Sequence, residues 1–317
     1  MRRISGRSRV DPRTLTLAAA LLAGCSTRDA RVGSVPLSGG IDGGVTGPPA
    51  LSSEFASDDG LWITRTGMAG AALAFGSPSA LALDGRTLLM SLPGAAGGDP
   101  ATNAGTDWAT EIDSVQFLRY GTLRSRVQFP TCAGNEEVAA AMFWFYNDGQ
   151  DRNGNGIVDN PEIDLHVLCG TPNFLVLTVW SDYQKEKDGS ETFLRATRAL
   201  DVGSGDIYDG LSDHERAYVR SGSDPRFLRQ SFAPGASFQE IGIDWRADSV
   251  RFFALLDGAE VTLWVLNEAR FVPHVPLQFC FNLWHPTSHW LPTESPALYP
   301  AADAVMRIDW FGYWPAE

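Results

Sequence analysis

The feature that most limits how this chain can fold is the repeated return, from residue 55 onward, to short segments dense in Val, Phe, Leu, Trp and Tyr. Gly, Asp, Asn and Pro separate them. Such segments are strand chemistry, because branched and aromatic side chains suit a pleated, half-buried surface and the intervening residues suit turns. The segments are TLLMSL (87–92), GTLRSRVQF (121–129), VAAAMFWFY (138–146), EIDLHVL (162–168), FLVLTVW (174–180), EIGIDWR (240–246) and MRIDWFGYW (306–314). SVRFFALLDGAEVTLWVLN predicts a hairpin turning at Asp257-Gly258. One short helix is expected at 213–219, where Ser212 and Glu215 have capping-box spacing. Many strands and almost no helix predict an all-β fold, a two-sheet antiparallel β-sandwich or jelly roll with a concave cleft. Residues 185–237, rich in charge and Gly, read as a long surface insertion that shapes the rim of the cleft.

The start of the chain is different. An arginine-rich head, an apolar stretch from Leu15 to Ala23 and small residues before Cys25 read as a secretory signal. The apolar stretch is too short to cross a bilayer, which takes about 20 residues. Leu22-Ala23-Gly24-Cys25 resembles the bacterial lipobox, so residues 1–24 are expected to be removed and Cys25 lipidated. Ser26 after the cysteine favours the outer membrane as the destination. Residues 25–54, rich in Gly, Pro and Ser, read as a tether, and 55–317 as one folded domain. The formal net charge of −13 becomes more negative once residues 1–24, with five Arg and one Asp, are gone. A body this acidic, without a basic stripe, excludes nucleic acid as a partner and is expected as a monomer. An exported chain meets an oxidising compartment, so Cys132 and Cys169 are expected to pair and Cys280 to be left over; three separate thiols are the alternative.

The stretch DRNGNGIVDNPEIDLH (151–166) carries two patterns that share Glu162. As a metal loop it fits the calcium template D-x-[DN]-x-[DN]-G. Asp151, Asn153 and Asn155 supply side-chain oxygens, Ile157 its carbonyl, Asp159 a further carboxylate, and Glu162 closes the site. The strand-like flank before it and Pro161 after it oppose an EF-hand, so an isolated Ca²⁺ loop between two strands is expected; a metal-free Asn/Gly turn is the alternative. As a strand, Glu162, Asp164 and His166 lie at i, i+2 and i+4 and face one side, with Ile163, Leu165 and Val167 facing the core. A glutamate held by Ca²⁺ cannot also act as a nucleophile, unless Asp148 or water completes the metal shell and frees it.

Read in order, the strands resemble glycoside hydrolase family 16, the laminarinase and lichenase type of concanavalin-like jelly roll. RYGTLRSRVQF resembles its YG-x-x-x-x-R strand, AAAMFWF its AFW strand, and PEIDLHVLCG its catalytic EIDIEFLG. SFQEIGIDWRADSVRFFALLDG, FNLWHPTSHW and VMRIDWFGYW resemble three later segments, so the likeness spans roughly 58–314. The resemblance implies retaining hydrolysis of β-glycosidic bonds with Glu162 as nucleophile and Asp164 as the assisting carboxylate. It also implies a glutamate acid/base at 166 or 167, where this chain has His166 and Val167. Retention requires two carboxyl groups about 5 to 5.5 Å apart, and this strand supplies no second Glu there. His166, its pKa raised by Asp164, is the substitute acid to consider. Glu111-Ile112-Asp113 repeats the EID motif and reads as a strand-edge coincidence. The likeness to AFW places Trp144 in the cleft, with Tyr146 on the same face by parity. Trp180, Asn282 and Trp284 are placed there by the same reasoning, with His285 and Trp290 at the rim, and Gln239 stands where the family has a cleft-side His. The expectation is an outer-membrane lipoprotein whose domain binds a β-linked polysaccharide with catalysis lost or weakened. The alternatives are an active endo-β-glycosidase and a calcium-stabilised structural protein of the cell surface.

Overall fold

The computed structural model describes residues 47–69, 73–75, 80–92, 94, 107–132, 138–146, 149–152, 154, 156–169, 173–185, 191–212, 219–224, 235–284 and 302–316. Along the chain the strands are β1 Leu51–Ser53, β2 Trp62–Thr64, β3 Gly67–Ala69, β4 Leu73–Phe75, β5 Ala80–Leu83, β6 Leu88–Leu92 and β7 Asp107–Leu118. There follow β8 Gly121–Gln128, β9 Ala139–Phe145, β10 Glu162–Leu168, β11 Phe174–Lys185, β12 Glu191–Asp201, β13 Asp206–Ser212 and β14 Val219–Ser223. The last five are β15 Gln239–Trp245, β16 Val250–Leu256, β17 Ala259–Leu266, β18 Leu277–Trp284 and β19 Ala304–Pro315. The one helical element among the described residues is a 3-10 turn, Ala269–Phe271.

The strands form two sheets. One runs β17-β16-β15-β8-β19-β6-β5, with β1 also on β19; the other runs β14-β13-β12-β11-β10-β9-β18-β7-β4-β3, with β2 also on β7. All pairs are antiparallel except β4 with β7. The predicted all-β sandwich is therefore the observed architecture. Between the sheets lies one apolar core that takes Ile163, Leu165 and Val167 from β10, Ile241 and Ile243 from β15, and Phe279 and Phe281 from β18. The Asp257-Gly258 hairpin forms as expected, because both residues take positive φ (52° and 79°), the twist that a two-residue turn between right-handed strands requires. Gly121 takes φ 154°, and a Cβ there would lie 2.4 Å from the Trp314 carbonyl, which accounts for the glycine that opens β8.

Three expectations need correction. The fold begins before residue 55, since β1 pairs with β19 and Ala50 N–H donates to the Tyr313 carbonyl. Residues 185–237 are not merely a surface insertion. β12, β13 and β14 widen the second sheet beyond β11, their charged residues forming cross-strand pairs such as Arg198 with Asp209 at 2.7 Å. Gln239 does not belong to the Glu162 face, for it lies in the opposite sheet with the core-facing parity of Ile241 and Ile243. Residues 213–218 of the expected helix, Cys25 and the segment before residue 47 lie outside the described residues, while Ser212, its expected cap, ends β13 and Val219, its expected last residue, begins β14. Cys132 and Cys169 are joined by a disulfide with Cα atoms 5.0 Å apart, and Cys280 is a free buried thiol.

Candidate functional site

β10 has seven residues, all buried, so alternation of polar and apolar types decides which go inward. Ile163, Leu165 and Val167 enter the core, which leaves Glu162, Asp164 and His166 on the outer face of the sheet. Register then assembles the surroundings. Glu162 is flanked by Phe145 and Trp180, Asp164 by Phe143 and Thr178, and His166 by Ala141 and Val176. One strand further, Phe143 pairs with Cys280 and Ala141 with Asn282, so Asn282 and Trp284 share this face. Ala141, Phe143, Phe145 and Cys280 make a small apolar cluster of their own beside the polar groups on the same face.

Trp144 is not in this site. It is fully buried (0% exposed) in the core, packed edge-on or tilted against Trp245, Phe279 and Tyr313. The AFW likeness placed it one residue out of phase: pairing of Asp164 with Phe143 puts Phe143 and Phe145 on the site face, and a period of two sends Trp144 the other way. Tyr146 sits past the end of β9, half-buried at the rim against Phe117. Trp180 and Trp284 are half-buried on the site face, with the Arg195 guanidinium 4.9 Å from the Trp180 ring centre. His285 and Trp290 lie outside the described residues.

The electrostatics differ from those the sequence suggested. Glu162 is 7% and Asp164 3% exposed. Burial pushes Glu162 up to about 7 despite a hydrogen bond with Asp164, and burial followed by the repulsion of Glu162 holds Asp164 well above the carboxylate range. Near neutrality the pair therefore shares a proton, as two desolvated carboxyls in contact must. Asp164 Oδ1 has no hydrogen-bond partner among the described residues. His166 goes the other way: burial lowers it to about 3, its ring stacked on Phe143 (centroids 6.5 Å apart, 20° between planes). Asp164 does not raise it. The imidazole is neutral at pH 7 and has no acidic proton of suitable strength to give a leaving oxygen.

The second EID is no coincidence of spelling. Glu111 pairs in register with Asn282, and Asp113 with Cys280, so both face the same side as Glu162 and Asp164, three strands away. Asn282 Nδ2 donates to Glu111 Oε2 (3.2 Å), while Arg65 Nε lies 2.9 Å from Glu111 Oε1 and 3.7 Å from Asp113 Oδ2. Burial carries Glu111 to about 8 against the pull of Arg65. The repeated motif and its two-residue alternation were the available signal. The sequence could not give the order of strands that puts the two copies on one face.

In the loop, Asp151 accepts N–H bonds from Gly154 and Gly156 (both 2.7 Å), the two glycines at positive φ. Asp159 Oδ2 accepts the Arg152 N–H at 3.1 Å, and Asp159 Oδ1 is buried without a hydrogen-bond partner among the described residues. Asn153 and Asn155 lie outside the described residues. No group of three or more His, Cys, Asp and Glu suited to a metal occurs among the described residues, so a cation here would depend on two carboxylates with amide and carbonyl oxygens. The unpartnered Asp159 oxygen fits that chemistry. Glu162 opens β10 and shares a hydrogen bond with Asp164 on the outer face of the sheet.

No family model matches the sequence, and no curated protein does. Solved structures do match. The Bacillus licheniformis β-glucanase aligns at 16% identity over 84% of this chain and 98% of its own, with a TM-score of 0.52. The laminarinase catalytic domain from Thermotoga maritima MSB8 aligns at 16% over 85% and 98% (TM-score 0.53). A LamA variant from Z. galactanivorans, solved in complex with laminaritriose and laminaritetraose, aligns at 15% over 84% and 98% (TM-score 0.50). The chain thus has the jelly-roll fold of laminarinase- and lichenase-type β-glucanases, a fold of the glycoside hydrolase family 16 kind.

Proposed function

We propose that this chain is an outer-membrane lipoprotein, anchored through Cys25, whose domain binds a β-linked polysaccharide over the Glu162 face with hydrolysis lost or much weakened. The observation that carries the reading is the state of the strand's three polar residues. A retaining glycosidase needs a nucleophile and a separate acid across the bond. Here the carboxyl beside Glu162 is engaged with Glu162 itself, and the residue two places further on is an unprotonated imidazole. Glu111 and Asp113, held by Arg65 and Asn282, lie three strand spacings across the sheet in the rows of His166 and Asp164, more than about 14 Å from Glu162 and too far to replace the acid. Binding is supported by Trp180, Trp284 and Asn282 on the face and by the fold's likeness to a structure solved with laminari-oligosaccharides. We further propose that a Ca²⁺ ion held by Asp151, Asn153, Asn155, Ile157 and Asp159 orders the approach to β10.

Two assays decide between readings. Incubation with laminarin, lichenan, agarose and carrageenan, followed by reducing ends, should release little or nothing. Vigorous release that vanishes in Glu162→Gln would show an active endo-β-glycosidase with Glu162 as nucleophile. Electrophoresis through gels containing the same polysaccharides should show retardation in at least one. Unchanged migration in all would leave only a structural role.

A further inference from the structure

One row of paired positions crosses six strands of the site sheet: Arg195 on β12, Trp180 on β11, Glu162 on β10, Phe145 on β9, Gln278 on β18 and Phe117 on β7. Directly paired residues share a face. At about 4.8 Å per strand, Phe117 lies about 14 Å from Glu162 along this row. The register between β7 and β18 slips just there, with the four-residue step from Asp113 to Phe117 on β7 set against the two-residue step from Cys280 to Gln278 on β18. Ser114 fixes the slip, its Oγ accepting the Phe279 N–H (2.8 Å) and its carbonyl accepting Gln278 Nε2 (2.7 Å). A bulge of this kind re-aims the side chains that follow it. Phe117 is left 45% exposed, edge-on to Tyr146 at 4.6 Å. The Arg152 guanidinium lies 5.8 Å from the other ring's centre. With Val275 and Pro276 these residues line a shallow depression of about 280 Å³.

We propose that Phe117, Tyr146 and Arg152 form a remote subsite for one sugar ring of the same β-linked chain whose middle lies over Glu162. The inference rests on the glycan-binding reading above and adds where the chain runs and where it ends. A glycan ring has an apolar C–H face and a rim of hydroxyls, and this site offers the exposed Phe117 ring with, next to it, a guanidinium over Tyr146. A solvated aromatic held in place by a bulge, in line with the proposed binding face, needs a reason that packing does not give, since a solvated phenyl ring contributes little to the core. Near each end of the row an arginine lies over an aromatic ring: Arg195 over Trp180 at one end, and at the other Arg152 over Tyr146, the ring against which Phe117 packs. The depression is open, and so suits one unit of a longer chain more than an isolated small molecule.

The test uses the full chain and oligosaccharides cut from whichever of laminarin, lichenan, agarose or carrageenan retards it in gels. Titration calorimetry compares a trisaccharide with a hexasaccharide for the wild type, Phe117→Ala, Arg152→Ala and a control, Val265→Ala, which removes an equally exposed apolar side chain from the opposite sheet (41% exposed). The wild type and the control should bind the longer sugar more tightly. Phe117→Ala should lose about tenfold on the hexasaccharide and nothing on the trisaccharide, with an unchanged melting temperature, and Arg152→Ala should lose part of the same increment. Equal hexasaccharide affinity in wild type and Phe117→Ala would overturn the subsite and leave glycan binding intact. Absence of binding by the wild type to every polysaccharide would overturn the subsite together with the reading on which it rests.

Discussion

Removing the charge at Glu162 should make the protein more stable in mild alkali and leave it unchanged in acid. Glu162 is buried and its carboxyl is raised from 4.5 to about 7. Keeping a carboxyl ionised whose titration is carried from 4.5 to about 7 costs folding on the order of 3 kcal/mol. The sign follows from proton counting. Below pH 4.5 the carboxyl is protonated whether the chain is folded or not, and it costs nothing. Between 4.5 and 7 the unfolded chain releases the proton while the folded chain keeps it, so stability falls as pH rises. Above 7 the full cost of about 3 kcal/mol is present. In Glu162→Gln that cost is absent, and Asp164, no longer facing a second carboxylate, ionises more easily as well. Urea denaturation at pH 4, 6 and 8 should therefore show wild type and variant alike at pH 4, with the variant more stable by up to about 3 kcal/mol at pH 8. For a domain of this size that corresponds to several degrees in melting temperature, on the order of 5 °C. The wild-type curve alone would not suffice, because a chain of net charge −13 also loses self-repulsion as it is acidified. The difference between the two proteins removes that common contribution. Parallel curves for the two, offset equally at every pH, would refute the buried-dyad reasoning.

Further outcomes follow from other parts of the molecule. Trp144→Ala should cost about 3 to 5 kcal/mol in urea denaturation, the range for a large buried aromatic, with unfolding as the cause of any lost glycan retention. Reduction of Cys132–Cys169, which closes a loop of sequence separation 37, should lower stability by up to about 4 kcal/mol on the chain-entropy account, seen as a lower melting temperature in dithiothreitol. EDTA should lower the melting temperature of the wild type, and Asp159→Asn should weaken that response; indifference of the wild type to EDTA would count against the calcium loop.

The sequence by itself determined several of the core strands and, where polar and apolar residues alternate, the facing of residues within them. Strand chemistry marked β10 at its observed ends, the Asp257-Gly258 turn fixed the last hairpin, and the alternation in EIDLHVL was enough to send Ile163, Leu165 and Val167 inward. These are local properties, set by backbone geometry with a period of two and by the few residues that tolerate positive φ. β9 shows where this stops: all seven of AAAMFWF are buried, so no polar position marks the outside, and only pairing with β10 decided that Trp144 joins the core and Phe143 the site. Tertiary structure likewise brought Glu111 and Asp113, remote in sequence, onto the face of Glu162, and gave 185–237 a place in the sheet. It also set the charge of His166, because an imidazole's proton affinity depends on the water removed around it, and that is known only once neighbouring strands have closed over it.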